Sequence, residues 1–92
     1  MKENDPIDFP VDGILDLHTF RPHEVKELIP EYLAVCRSKG LLQVRIIHGK
    51  GSGALRRTVQ SLLQRLPEVE GFRPAGEEAG GWGATVVKLK TE

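Results

Sequence analysis

The order of apolar segments predicts a two-layer α/β sandwich, β-α-β-α-β-β, with a four-stranded mixed sheet and two helices on one face. Three observations carry this. Two apolar stripes recur at spacings of three and four, which is the period of amphipathic helices. A short strand-like segment precedes each stripe, so the chain reads as two β-α-β units with right-handed crossovers. The last two strand-like segments are separated only by a polar, glycine-rich loop, too short for another helix, so the final strand returns antiparallel. The strands joined by each crossover are expected to be neighbours.

Taken in order, residues 1–12 hold Pro6, Pro10 and four acids, and read as a flexible acidic N-terminal tail ahead of one domain over residues 13–92. Ile14–His18 is the first strand, with Leu15 and Leu17 on one side and Asp16 and His18 on the other. Pro22 suits the first position of a helix and Glu24 its first turn. Val25, Leu28, Ile29, Tyr32, Leu33 and Cys36 form its stripe. Pro30 lies off the stripe and is expected to kink the helix on its solvent side. Gly40 stops it.

Leu42–Ile47 is the second strand. The loop His48-Gly49-Lys50-Gly51-Ser52-Gly53 follows, and Leu55, Val59, Leu62, Leu63 and Leu66 give the second helix, ended by Pro67. Val69–Arg73 is a short third strand. Ala84–Lys90 is the fourth, with Thr85, Val87 and Leu89 on an apolar face and Val86, Lys88 and Lys90 on a largely solvated one.

With 92 residues, 39% hydrophobic and 28% charged, the chain has the composition of one globular domain, not of a collagen-like or disordered one. No apolar run approaches the ~20 residues of a membrane span, so no membrane partner is expected. The absence of a basic-then-apolar leader and the single Cys36 point to the cytoplasm. Net charge is zero, yet its distribution is uneven. From Tyr32 to Pro67 there is no Asp or Glu, while Arg37, Lys39, Arg45, Lys50, Arg56, Arg57 and Arg65 fall there. Such a basic block is a phosphate-binding surface or simply a solvated one.

The chemistry converges on one sheet edge. The first and second strands end at His18 and His48, and parallel neighbours place both on the rim where α/β folds hold ligands. Asp16 could orient the His18 imidazole or hold a divalent ion. The glycines of the loop allow close backbone approach, and the loop opens a helix whose free N–H groups attract anions. Arg56 and Arg57 stand in the first turn of that helix, where cations are disfavoured unless an anion sits there. Gly49, Lys50, Gly51, Ser52, Gly53, Arg45, Arg56 and Arg57 are therefore the candidate phosphate-binding residues. The Walker spacing is absent, so a polymer backbone is expected rather than a nucleoside triphosphate. Trp82 could stack on a base or lid the sheet end.

These segments resemble a known family. Leu15-Asp16-Leu17-His18, then His48-Gly49-Lys50-Gly51-Ser52-Gly53-Ala54-Leu55-Arg56, then Gly83-Ala84-Thr85-Val86-Val87 look like the small MutS-related (Smr) domain, in its stand-alone form, from about Gly13 to Lys90. The resemblance implies a nucleic-acid-binding fold similar to the C-terminal domain of translation initiation factor three. It also implies an endonuclease that nicks DNA or cleaves RNA, with Mg or Mn as the candidate ions. Asp16, His18 and His48 would then be catalytic, with Asp16 the candidate metal ligand. Thr19 departs from the glycine that often follows the first motif. The alternative function is a non-catalytic module that binds DNA, RNA or the ribosome. A single small-anion site is disfavoured, because the basic block exceeds one phosphate.

Overall fold

The computed structural model describes residues 10–49, 51, 53–76 and 83–91. The elements are β1 (Ile14–Asp16), α1 (Pro22–Ser38), β2 (Gln43–Ile47), α2 (Ala54–Arg65), β3 (Val69–Pro74) and β4 (Ala84–Leu89). They form the expected two layers, with one four-stranded mixed sheet and a helical layer.

The strand order is β1-β2-β4-β3, with β1 parallel to β2 and β4 antiparallel to both of its neighbours. The expectation that each crossover joins adjacent strands therefore holds for β1 and β2 and fails for β2 and β3. β4 inserts between the latter two. This makes β4 central, with partners on both edges, and its burial follows. Thr85, Val87 and Leu89 face the helices, and Ala84 and Val86 are also buried on the opposite face, against Ala75 and Ile47. The second face of β4 is thus apolar at its start and becomes exposed only at Lys88.

The main core lies between sheet and helices. Val25, Ile29, Tyr32, Leu33 and Cys36 of α1 meet Leu15, Leu17, Val44, Ile46, Val87 and Leu89, with Val59 and Leu63 of α2. Leu28, Leu55, Leu62 and Leu66 pack half-buried at its margin, and Val11 joins them from ahead of β1. Helix α1 runs through Pro30, which is half-buried and so not on its solvent side. At the start of α1 the Glu24 carboxylate accepts the Arg21 N–H at 2.7 Å. At its end the Leu41 N–H reaches the Cys36 carbonyl and the Gly40 N–H that of Arg37, with Gly40 at φ 80°. That pairing closes two orphan carbonyls in a left-handed cap.

Three long-range hydrogen bonds, made by two side chains of α1, tie the layers together. The Arg37 guanidinium donates to the Lys90 and Thr91 carbonyls at 2.8 and 3.1 Å, so this member of the basic block anchors the chain after β4. The buried Tyr32 hydroxyl accepts the Gly13 N–H at 3.2 Å, and burial pushes its pKa up to about 12. Tyr32→Phe should therefore leave a buried donor without its acceptor and cost ~1–3 kcal/mol. Chemical denaturation of the two proteins would read this directly, and an unchanged midpoint would refute it.

Candidate functional site

β1 ends at Asp16, not at His18 as the alternation suggested. Beyond it the chain turns, with the Phe20 N–H bonded to the Leu17 carbonyl. This turn lets His18 fold back. The Asp16 Oδ1 accepts the His18 backbone N–H at 3.0 Å and lies 2.8 Å from its ring Nδ1. Both contacts favour the carboxylate and hold Asp16 below its ordinary pKa, the backbone bond most strongly. A carboxylate can only accept, so Nδ1 carries the proton and Nε2 is the free ring nitrogen of neutral His18. The side chain is 75% exposed, which leaves that nitrogen open to a ligand.

His48 is built differently. It shares the strand parity of Val44 and Ile46, which are fully buried against the helices, and is itself only 7% exposed. Its Nδ1 lies 3.1 Å from the Gly49 carbonyl and its Nε2 lies 2.9 Å from the Thr85 hydroxyl. The carbonyl requires Nδ1–H to donate, so in the neutral ring Nε2 accepts from Thr85. The backbone N–H groups of His48 and Gly49 both bond to the Gly83 carbonyl at 2.9 Å. The two histidines thus flank one rim, after parallel β1 and β2, but on opposite faces of the sheet. Asp16 and His18 lie toward the open face, and His48 is turned toward the helical layer. Thr85→Val should orphan the buried Nε2 and lower stability by ~1–3 kcal/mol, which thermal or urea unfolding would detect.

Thr85 is the partner that sequence reasoning did not single out. Its one signal is a hydroxyl on the apolar side of β4, and burial leaves such a group needing a bond.

Next to His48, a cleft of about 350 Å³ opens between the two helix starts. Phe20 and Pro22 form one wall, and Gly49, Gly51, Gly53, Leu55 and Arg56 another. Gly53 caps α2 at φ 88°, with no side-chain cap and no acid in the first turn. A Cβ built there would lie 3.5 Å from an Arg57 guanidinium nitrogen and 3.6 Å from one of Arg56. Both guanidinium groups therefore fold back over the positive end of the helix. Gly49, at φ 81°, likewise needs a glycine backbone. Gly51 does not, and no atom of the described residues lies within 4 Å of a Cβ there. Its side-chain-free surface keeps the cleft mouth open.

Arg45 is not brought to this cleft. It sits on the open sheet face in the row Ile14–Arg45–Val86–Arg73, and its buried Nε has no hydrogen-bond partner among the described residues. Lys50, Ser52 and Trp82 lie outside the described residues. Among the described residues no group of three or more His, Cys, Asp or Glu could hold a metal ion. At the rim, Asp16 supplies one carboxylate, with Oδ1 already engaged by His18. A lone carboxylate does not make a resident metal site of its own. No described helix is long and apolar enough to cross a membrane.

Comparison with known proteins adds a family. A model described as the Smr domain matches residues 15–90. Endonuclease MutS2 of Halothermothrix orenii is 40% identical over 81 residues, covering 88% of this chain and 10% of that protein. Endonuclease MutS2 of Halalkalibacterium halodurans is 45% identical over 76 residues, 83% of this chain and 10% of the relative. The chain thus spans about a tenth of the length of these relatives. The crystal structure of the Smr domain of Thermus thermophilus MutS2 superposes with a TM-score of 0.80 at 37% identity, covering 86% of this chain and 99% of that one. YdaL, a stand-alone small MutS-related protein from Escherichia coli, superposes with a TM-score of 0.82 at 27% identity, covering 89% of this chain and 67% of that one.

Proposed function

This chain belongs to the Smr domain family, and we propose that it binds DNA or RNA at the rim and cleaves a phosphodiester there. The observation that carries this is the pairing of two features on one edge of the sheet. One is an anion seat without an anionic residue: the glycine loop and the first turn of α2, with Arg56 and Arg57 folded over Gly53. The other is an exposed imidazole backed by a carboxylate. MutS2 relatives are named as endonucleases, which fits the same reading.

In this scheme the helix N–H groups and Arg56 and Arg57 hold phosphate and offset the charge that develops on it. His18 Nε2 takes a proton from water or a ribose hydroxyl, because Nδ1–H is committed to Asp16. Asp16 holds the tautomer, with its carboxylate 2.8 Å from Nδ1 on the side of the ring away from the reacting nitrogen. His48 fixes the start of the glycine loop against β4, so its contribution is to position the loop.

The deciding assay incubates supercoiled plasmid, linear duplex and structured RNA with the protein, with and without EDTA. Cleavage that disappears in His18→Gln supports the enzyme. Binding to these substrates without cleavage supports a tethering module built on the same rim.

The loop offers a separate test. Gly51→Val adds bulk where the backbone needs none for its own conformation. It should weaken nucleic-acid binding with little change in melting temperature. A large loss of stability with binding preserved would assign Gly51 to folding instead.

A further inference from the structure

From the rim, basic groups continue into a second groove, of about 490 Å³, between α1 and α2. Lys26 of α1 lines it, with Ala54, Arg57, Thr58, Ser61 and Arg65 of α2. Ala54 and Thr58 also line the rim cleft, so the two depressions are adjacent and share a wall. α2 carries no Asp or Glu along its whole length, and among the described residues none of Lys26, Arg57 and Arg65 pairs with a carboxylate. The Arg65 guanidinium donates to the Ser61 hydroxyl at 3.1 Å, which holds its head along the helix surface. At the junction the Thr58 hydroxyl donates to the Ala54 carbonyl at 3.1 Å.

We infer that this interhelical groove is the path of the nucleic-acid backbone beyond the rim. Lys26, Arg57 and Arg65 would hold phosphates along a short tract of the strand whose scissile region lies at the loop. The inference rests on the proposed nucleic-acid reading and deepens it. Its lengths agree. Eight residues separate Arg57 from Arg65, or ~12 Å along a helix. That spans about three to four nucleotides at ~3.4 Å of axis per nucleotide in one strand. The groove therefore extends the site from one phosphate to a short tract, and its cations contact phosphate and not base edges. It should raise affinity with strand length and without sequence preference.

The test uses fluorescein-labelled single strands of four, eight and sixteen nucleotides, with binding read by anisotropy across a salt series. The proteins are wild type, Lys26→Gln/Arg65→Gln and Arg56→Gln, with melting curves to confirm that each is folded. The groove variant should bind the four-nucleotide strand like wild type. It should lose affinity for the sixteen-nucleotide strand, and its log–log salt slope should be shallower by about 1.4, at ~0.7 per phosphate contact on single strands. An unchanged length dependence and slope would overturn the groove inference. If Arg56→Gln alone weakens binding, the groove falls and the rim reading stands. If neither variant weakens binding, both fall. Displacement of the long strand by polyglutamate at lower charge concentration than by free oligonucleotide would mark the groove as a seat for an acidic protein segment, and would also overturn it.

Discussion

Replacing His18 with Gln is expected to lower phosphodiester cleavage by ~10²–10⁴-fold while leaving nucleic-acid affinity nearly intact. The split between rate and affinity follows from position. His18 is exposed and, among the described residues, its side-chain contact is Asp16, whereas the proposed phosphate-holding groups belong to the loop and α2. Free imidazole added to His18→Gly should restore part of the rate, because the missing element is a proton acceptor and not a fold. Asp16→Asn should cost less than loss of the ring, since Nε2 remains but its tautomer is no longer imposed.

The acid side of the pH dependence is fixed by sign. The folded-state pKa of Asp16 lies below its unfolded value. Its ionised form therefore stabilises the fold fully above the ordinary carboxylate value of ~3.9. That contribution is lost as pH falls through the lower folded value. Asp16 is half exposed, so the effect on stability is small. Asp16→Asn should flatten the stability loss below about pH 4 and leave stability at neutral pH nearly unchanged. If His18→Gln cleaves at the wild-type rate, or loses binding and cleavage together, the proton-transfer role is wrong.

The helices and the pairing of β1 with β2 were legible because their signals are local. The stripe from Val25 to Cys36 repeats within a few residues, and Pro22 and Gly40 mark its ends by backbone chemistry. The position of β4 was not legible. Which strand lies beside which is decided by the packing of residues far apart in sequence, and antiparallel return after β3 is compatible with pairing on either edge. Once β4 enters the centre, Ala84 and Val86 must be buried on the face that alternation assigned to solvent. The loop residues around Gly49 and the first turn of α2 were readable from charge and glycine alone. Arg45 was not separable from them by sequence charge, because its strand parity puts it on the open face, away from the cleft.

The two histidines show the same limit in sharper form. Both follow a strand end, and proximity to the rim treated them alike. Parity distinguishes them: His48 continues the set Val44, Ile46, which is turned inward, while His18 continues Asp16, which is turned outward. Thr85 completes the distinction. A hydroxyl on the inner face of a central strand implies an inward-facing polar partner, and His48 is that partner at 2.9 Å.

Arg56→Glu/Arg57→Glu should weaken binding to every nucleic acid tested, by roughly 100-fold if each arginine makes one charge-assisted phosphate contact of ~1.5 kcal/mol. The salt slope should become shallower by about 1.4 on single strands or about 1.8 on duplex, from ~0.7 and ~0.9 per contact. Loss should be uniform across sequences, since phosphate contacts carry no base information. Stability should move in the other direction. Arg57 is exposed at the first turn of α2, where a cation opposes the helix dipole and a carboxylate complements it. Arg57→Glu alone should therefore keep or raise helix stability, by ~0.3–1 kcal/mol at low salt. A residue retained for folding would behave in the opposite way, with stability falling and binding unaffected. Anisotropy across a salt series and urea unfolding of the same preparations would separate the two cases. Unchanged affinity at low salt in the double variant would remove the start of α2 from the binding site and, with it, the anion seat on which the cleavage proposal depends.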